Sequence, residues 1–329
     1  MPFYRNILKQ AWELTWRHKY LWVFGIFAAL LGNGGEFEIL FNNKAGANPG
    51  QSLFPAWQRI VSTRLFSDQT LANIGNLFRH DTLNITLVLV AGLIVLAIGL
   101  FLVWLVIVSQ AALVNNSAAI IKQKKHTLRD GLDSGILNFL PVLVLNIIIK
   151  VAIYVLLVAI SLPAIFFQGN FNANLFYILA LVIIVPAAII LSFIMKYAVA
   201  YAVISQSKVI PAIKQSYRLF KENWLISFEM ALMLFFINLL VGLAIALVIL
   251  VLAVPFLFLG LIFYYAFSLA GSWLIAILAL ASFLFIVVAV GAALAVFQIA
   301  AWTGLFLELN KKNGVSKLAR VVNSMVKIG

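Results

Sequence analysis

Two stretches of this chain, residues 87–108 and 239–252, are apolar on every face of any secondary structure they could adopt. A transmembrane barrel needs short segments in which apolar and polar residues alternate, so such runs exclude it and call for helices immersed in lipid. Composition agrees. The chain is 64% hydrophobic and 10% charged, against roughly 45–50% and about 25% in a soluble domain. The expected fold class is all-α: a polytopic helical membrane protein forming a single integral membrane domain over residues 1–329.

The formal net charge is +13, but the basic residues flank hydrophobic spans and form no independent soluble domain. Anionic phospholipid, and not nucleic acid, is therefore the expected counter-charge. There is no cysteine, which removes disulfides, thiolate catalysis and sulfur-ligated metal clusters together. The first hydrophobic run, residues 20–31, follows a long charged lead-in and precedes a poor cleavage context at Gly32, Asn33 and Gly34. It reads as an uncleaved first span.

Further spans are expected from about residue 83, with a helical pattern reaching Lys125, then over 138–167, 175–205, 225–253 and 273–309. Residues 33–82 form a long outer-side loop with two short amphipathic stretches, 57–66 and 71–78. Residues 168–174 make a tight uncharged turn. Residues 255–272 are too apolar for a free loop and read as a helix extension, a re-entrant piece or an outer-surface segment. Lysine and arginine number four in the N-terminal segment, four in 122–135, four in 207–224 and five after Asn310, with none in 168–174 or 254–272. The positive-inside rule makes the four basic segments cytoplasmic, including both termini, so the number of spans is even and six are expected. The basic tail is residues 311–329.

One segment sets the pattern at the membrane entries. In AIKQSYRLFKENWL, residues 212–225, Ile213, Tyr217, Phe220 and Trp224 share one helical face while Lys214, Arg218, Lys221 and Glu222 lie elsewhere. The expectation is a cytoplasmic-surface helix with its aromatic face in the acyl boundary and Lys214, Arg218, Lys221 and Trp224 meeting the lipid surface. Shifted by 85 residues, TLRDGLDSGILNFL at 127–140 lies over it, so that Leu128 meets Ile213, Leu132 meets Tyr217 and Asn138 meets Asn223. At the N-terminus Leu8, Lys9, Gln10 and Trp12 meet Ile213, Lys214, Gln215 and Tyr217. Three parallel hairpin repeats follow, over about 3–121, 122–206 and 207–310, each led by an amphipathic helix.

The segment KQSYRLFKENW, with the opening ILKQAWELTWRHKYLWVFGIFAALL, resembles the multi-span membrane domain that accompanies some bacterial glycerophosphodiester phosphodiesterases, and related stand-alone uncharacterised membrane proteins. The likeness covers most of the chain. It implies a membrane fold in a bacterial cell membrane. It does not carry over phosphodiesterase activity, which in the fused relatives belongs to a separate soluble barrel with acidic metal ligands.

No chemistry of a familiar kind stands out. His18, His80 and His126 lie in separate polar segments without a carboxylate or second histidine at ligand spacing. There is no phosphate-cradling glycine loop, nucleophile elbow or paired carboxylate, so no catalytic residue, cofactor or metal is expected. The informative polar residues lie inside the spans. Asn146, Lys150 and Tyr154 recur every fourth residue, with Lys150 near the middle of its span. An intramembrane lysine costs roughly 2.5–3.5 kcal/mol on insertion scales and calls for a partner or water. Ser192 and Lys196 make a similar pair on the next span, and Glu229 lies at a depth Lys196 can share. Pro141, Pro163, Pro186 and Pro255 each remove a backbone donor and permit a bend. Two functional readings result. The first is a non-enzymatic membrane protein whose basic helices grip the cytoplasmic leaflet and organise the envelope. The second is a transporter or lipid-handling permease with a polar path near Lys150 and Lys196.

Overall fold

The structure is a computed structural model that describes residues 2–29, 82–124, 127–166, 171–266 and 269–311. The expected outer loop with its two amphipathic stretches, His80, His126, residues 168–170 of the expected turn and nearly all of the basic tail lie outside the described residues, whereas residues 171–174 of that turn are already helical. Among the described residues every regular element is a helix: α1 (Pro2–Arg17), α2 (Leu21–Ala29), α3 (Thr82–Ile121), α4 (Leu128–Leu137), α5 (Phe139–Phe166), α6 (Phe171–Ile204), α7 (Val209–Glu222), α8 (Trp224–Ala266) and α9 (Leu269–Asn310). Five of them, α3, α5, α6, α8 and α9, contain stretches long and apolar enough to cross a membrane, as a helical membrane protein requires. The first expected span is described only as far as Ala29. Its nine residues in α2 rise about 14 Å, under half of a hydrocarbon core of about 30 Å.

The helix borders follow local chemistry. Thr127 and Asp130 form a capping box at the start of α4, the Thr127 side chain accepting from the Asp130 N–H, which satisfies donors the first turn leaves open. Three shorter helices, α1, α4 and α7, end in one manner. The backbone N–H groups of His18, Asn138 and Asn223 each donate to the carbonyl four residues back, on Leu14, Ser134 and Leu219, at 3.1 Å. The Asn138 and Asn223 amides donate to those same Ser134 and Leu219 carbonyls at 2.8 and 3.1 Å. After each stop an apolar helix begins within three residues. The helical pattern expected to reach Lys125 stops at Ile121, where Gln123 takes a positive φ of 58°.

The chain divides into two compact units, one comprising Met1–Asn33, Val106–Asn146 and Phe193–Gly329, the other Gly34–Leu105 and Ile147–Ser192. The described part of the second consists of helix segments with exposed apolar side chains, such as Leu93, Val95, Val155 and Ile183. The first unit holds the packed core. In it α1, α2 and α8 all pack on α9. Tyr4, Ile7, Ala11 and Leu14 are buried along one face of α1, and Leu21, Phe24 and Ala28 along α2. Ala292, Ala295, Val296 and Ala300 are their buried counterparts on α9. Backbones come closest at Gly25, where an added Cβ would collide with the Ala292 carbonyl oxygen and stand 2.9 Å from Val296 Cγ2. Small residues at such crossings let helices associate in lipid, where no hydrophobic force drives them together.

Candidate functional site

The core of the first unit contains polar side chains that an apolar span would not carry without use. Glu229, early in α8, is 8% exposed and accepts a hydrogen bond from the Tyr4 hydroxyl of α1. Two residues earlier, Ser227 shares a 2.7 Å hydrogen bond with the Tyr197 hydroxyl of α6 and donates to the Asn223 carbonyl at 3.0 Å. The Tyr197–Ser227 bond fastens α6 to α8 at the level of Lys196 and Glu229. Lys196 Nζ stands 4.6 Å from the Trp302 ring centroid and 5.8 Å from that of Phe193. Tyr197 meets Trp302 edge-on at 6.0 Å, and Phe193 lies 5.8 Å from Phe220 of α7. Side chains of α1, α6, α7, α8 and α9 thus converge on buried hydroxyls, a buried carboxylate and a partly exposed ammonium over the Trp302 ring.

Of the residues singled out in the sequence, Lys196 and Glu229 join this cluster, and Ser192 lies partly buried one turn before Lys196. The Asn146, Lys150, Tyr154 row is divided. Asn146 is buried, its amide donating to Gln110 Oε1 and the Val142 carbonyl, both at 2.9 Å, whereas Lys150 and Tyr154 are on the exposed surface of α5. Sequence spacing does not single out Tyr4, Tyr197, Ser227 or Trp302. It also misses a pair within the last hairpin, where Gln298 Nε2 of α9 donates to Asn238 Oδ1 of α8 at 2.7 Å. A signal for that pair is present, since each is a lone amide in a long apolar run. Asn116 and Ser117 on α3 are fully buried, and their side-chain polar atoms make no hydrogen bond. The Asn116 amide lies against Gly131 of α4, leaving no room there for a Cβ.

On α7 the aromatic face foreseen for lipid is split. Ala212, Ser216 and Leu219 are buried against the protein, and Ile213 and Phe220 are partly buried. Tyr217 is 54% exposed and shares an exposed face of α7 with Ile210, seven residues earlier, while Trp224, the first residue of α8, is 57% exposed. Lys214, Arg218 and Lys221 are exposed beside them, with Arg218 Nε 3.0 Å from Glu222 Oε1. α1 has a comparable division, burying Ile7, Ala11 and Leu14 while the exposed Trp12 and Trp16 rings meet at a tilt, 5.5 Å apart. On α7 Ala212, Ser216 and Leu219 take the protein side and Tyr217 takes the flank.

Among the described residues no group of three or more histidine, cysteine, aspartate or glutamate side chains is arranged to hold a metal ion. A family model, described as a family of unknown function (DUF7544), matches residues 16–303. The chain belongs to that family. The match takes in most of the chain, including the Lys196–Trp302 and Tyr197–Ser227 contacts and the last hairpin, and DUF7544 membership assigns them no activity. No curated protein matches, and no solved structure matches. The family match provides no link to the membrane domain of the glycerophosphodiester phosphodiesterases.

Proposed function

We propose that this DUF7544 protein is a non-enzymatic integral membrane protein of the bacterial cell membrane, anchored through its basic surface helices to the anionic cytoplasmic leaflet, with a role in organising the envelope. The observation that carries this reading is the three-sided division of α7: Ala212, Ser216 and Leu219 against the protein, Ile210 and Tyr217 on an open flank followed by exposed Trp224 at the start of α8, and Lys214, Arg218 and Lys221 beside them. An aromatic flank settles at the acyl boundary, and each nearby basic residue adds about 1 kcal/mol of attraction to an anionic surface. The matching helix stops at His18, Asn138 and Asn223 support three lead-in-and-hairpin repeats. In that arrangement six spans leave both termini in the cytoplasm. The permease reading has no comparable support, because Lys150 is exposed and Lys196 is capped by Trp302.

The absence of cysteine permits a clean test. An environment-sensitive fluorophore on Tyr217→Cys is expected to emit further to the blue in phosphatidylglycerol nanodiscs than in phosphatidylcholine ones. Added salt, or the combined changes K214Q, R218Q and K221Q, should remove the difference. Equal emission in both lipids rejects the proposal.

A further inference from the structure

The last hairpin is too long for the membrane it is suited to. No charged residue occurs between Glu229 and Glu308, and α8 and α9 contain 43 and 42 residues, about 65 and 63 Å of helix. Residues 230–266 alone rise about 55 Å, against about 30 Å of hydrocarbon and about 40–45 Å with the headgroups. A straight hairpin would need a tilt of nearly 60° to hide that length in hydrocarbon, well outside the usual range of about 0–40°. Left upright, its tip would stand in water with Phe258, Tyr264, Tyr265 and Trp273 exposed.

Both helices carry a bend-permitting element at one level. On α8, Pro255 lies inside the helix and has no N–H to offer the Val251 carbonyl. On α9, the Ser282 hydroxyl donates to the Leu278 carbonyl at 2.8 Å, a back-bond that competes with the helix and often bends it. Phe256 and Phe283, each next to one of these residues, meet edge-on with ring centroids 5.8 Å apart. Below that level, residues 230–254 rise about 37 Å, enough to cross with modest tilt. Above it, residues 255–266 add about 18 Å that has no place in a straight crossing.

We infer that in a bilayer the hairpin bends at the Pro255–Ser282 level and lays its distal arm, residues 256–266 and 269–281, along the acyl boundary of the leaflet opposite the basic helices. The partner is a lipid surface, not another protein. The arm is uncharged, and its tyrosines and tryptophan are the side chains that favour a membrane–water interface. Tyr265 is 82% exposed and Trp273 65%, while Gly271 receives the Phe263 ring, whose Cδ1 would lie 2.7 Å from an added Cβ. The close fit of Phe263 on Gly271 keeps the two helices of the arm together. This inference rests on the membrane reading above and adds where the hairpin ends.

The experiment uses spin labels on the full chain in phosphatidylglycerol–phosphatidylcholine bilayers, at the exposed positions Phe236→Cys, Leu247→Cys and Tyr265→Cys. A label at 247 should be open to oxygen and closed to a water-soluble nickel chelate. A label at 265 should be intermediate for both reagents, as at the headgroup boundary. The 236–265 separation should fall from about 44 Å, the straight-helix value, to between about 32 and 38 Å. A separation that stays at about 44 Å overturns the bend. Full nickel access at 265 overturns the lipid contact, and dipolar broadening at 265 that vanishes on dilution with unlabelled protein would assign the arm to a second copy instead. Nickel access at 247 would reject the membrane reading itself, an outcome distinct from the other three.

Discussion

The two ends of the α8–α9 hairpin are built on opposite plans. At its base, Glu229 is held by Tyr4, Ser227 by Tyr197, Lys196 stands over Trp302 and Gln298 donates to Asn238. At the border of its far end, the Ser282 hydroxyl bonds within its own helix and ties no second helix down. Both ends are apolar in composition. What separates them is that the base must hold several helices in one register, for which directional bonds are needed, whereas the arm must only be compatible with lipid. Packing and polar bonds specify a structure, and apolarity alone specifies a phase.

That contrast can be broken most sharply at Gly25. Gly25→Val pushes a side chain into the Ala292 carbonyl and Val296, and it should cost about 3 kcal/mol in unfolding by SDS titration in mixed micelles, since overpacking against backbone has no flexible neighbour to yield. Tyr4→Phe should cost about 2 kcal/mol by the same measurement, because it leaves the Glu229 carboxylate short of a donor in a dry core. Gln298→Leu, which deprives Asn238 of its partner, should cost about 1 kcal/mol, in keeping with interhelical hydrogen bonds in lipid. Tyr265→Ser in the arm should change stability by less than about 0.5 kcal/mol, as exposed substitutions do. If Tyr265→Ser proves as costly as Tyr4→Phe, the arm is packed against something and the distinction between the two ends fails.

Much of the helix layout is legible in the sequence because lipid leaves an apolar run little choice but to be helical. Spans expected at 138–167, 175–205 and 273–309 correspond to Phe139–Phe166, Phe171–Ile204 and Leu269–Asn310. The 255–272 segment, for which the sequence allows three arrangements, is helical through Pro255 to Ala266 and again from Leu269. The polar contacts are much less legible. Glu229 and Lys196 stand out as charges in apolar surroundings, but the Tyr4–Glu229 bond joins residues 225 apart in sequence, and nothing in helical spacing fixes the register of one helix against another. The face of α7 departs from expectation for a related reason. Its periodicity reports amphipathicity without saying whether the small residues or the aromatic ones turn toward the protein, and here Ala212, Ser216 and Leu219 do.

The seat of α1 and α2 is on α9, with Gly25 pressed against Ala292. Chains are made from the N-terminus onward, so α1 and α2 gain this seat only after α9 has been synthesised. Until then Leu14 and Phe24 must wait against lipid or a chaperone. The finished base is therefore a clasp between helices made early and one made late, and it can close only once α9 has been made.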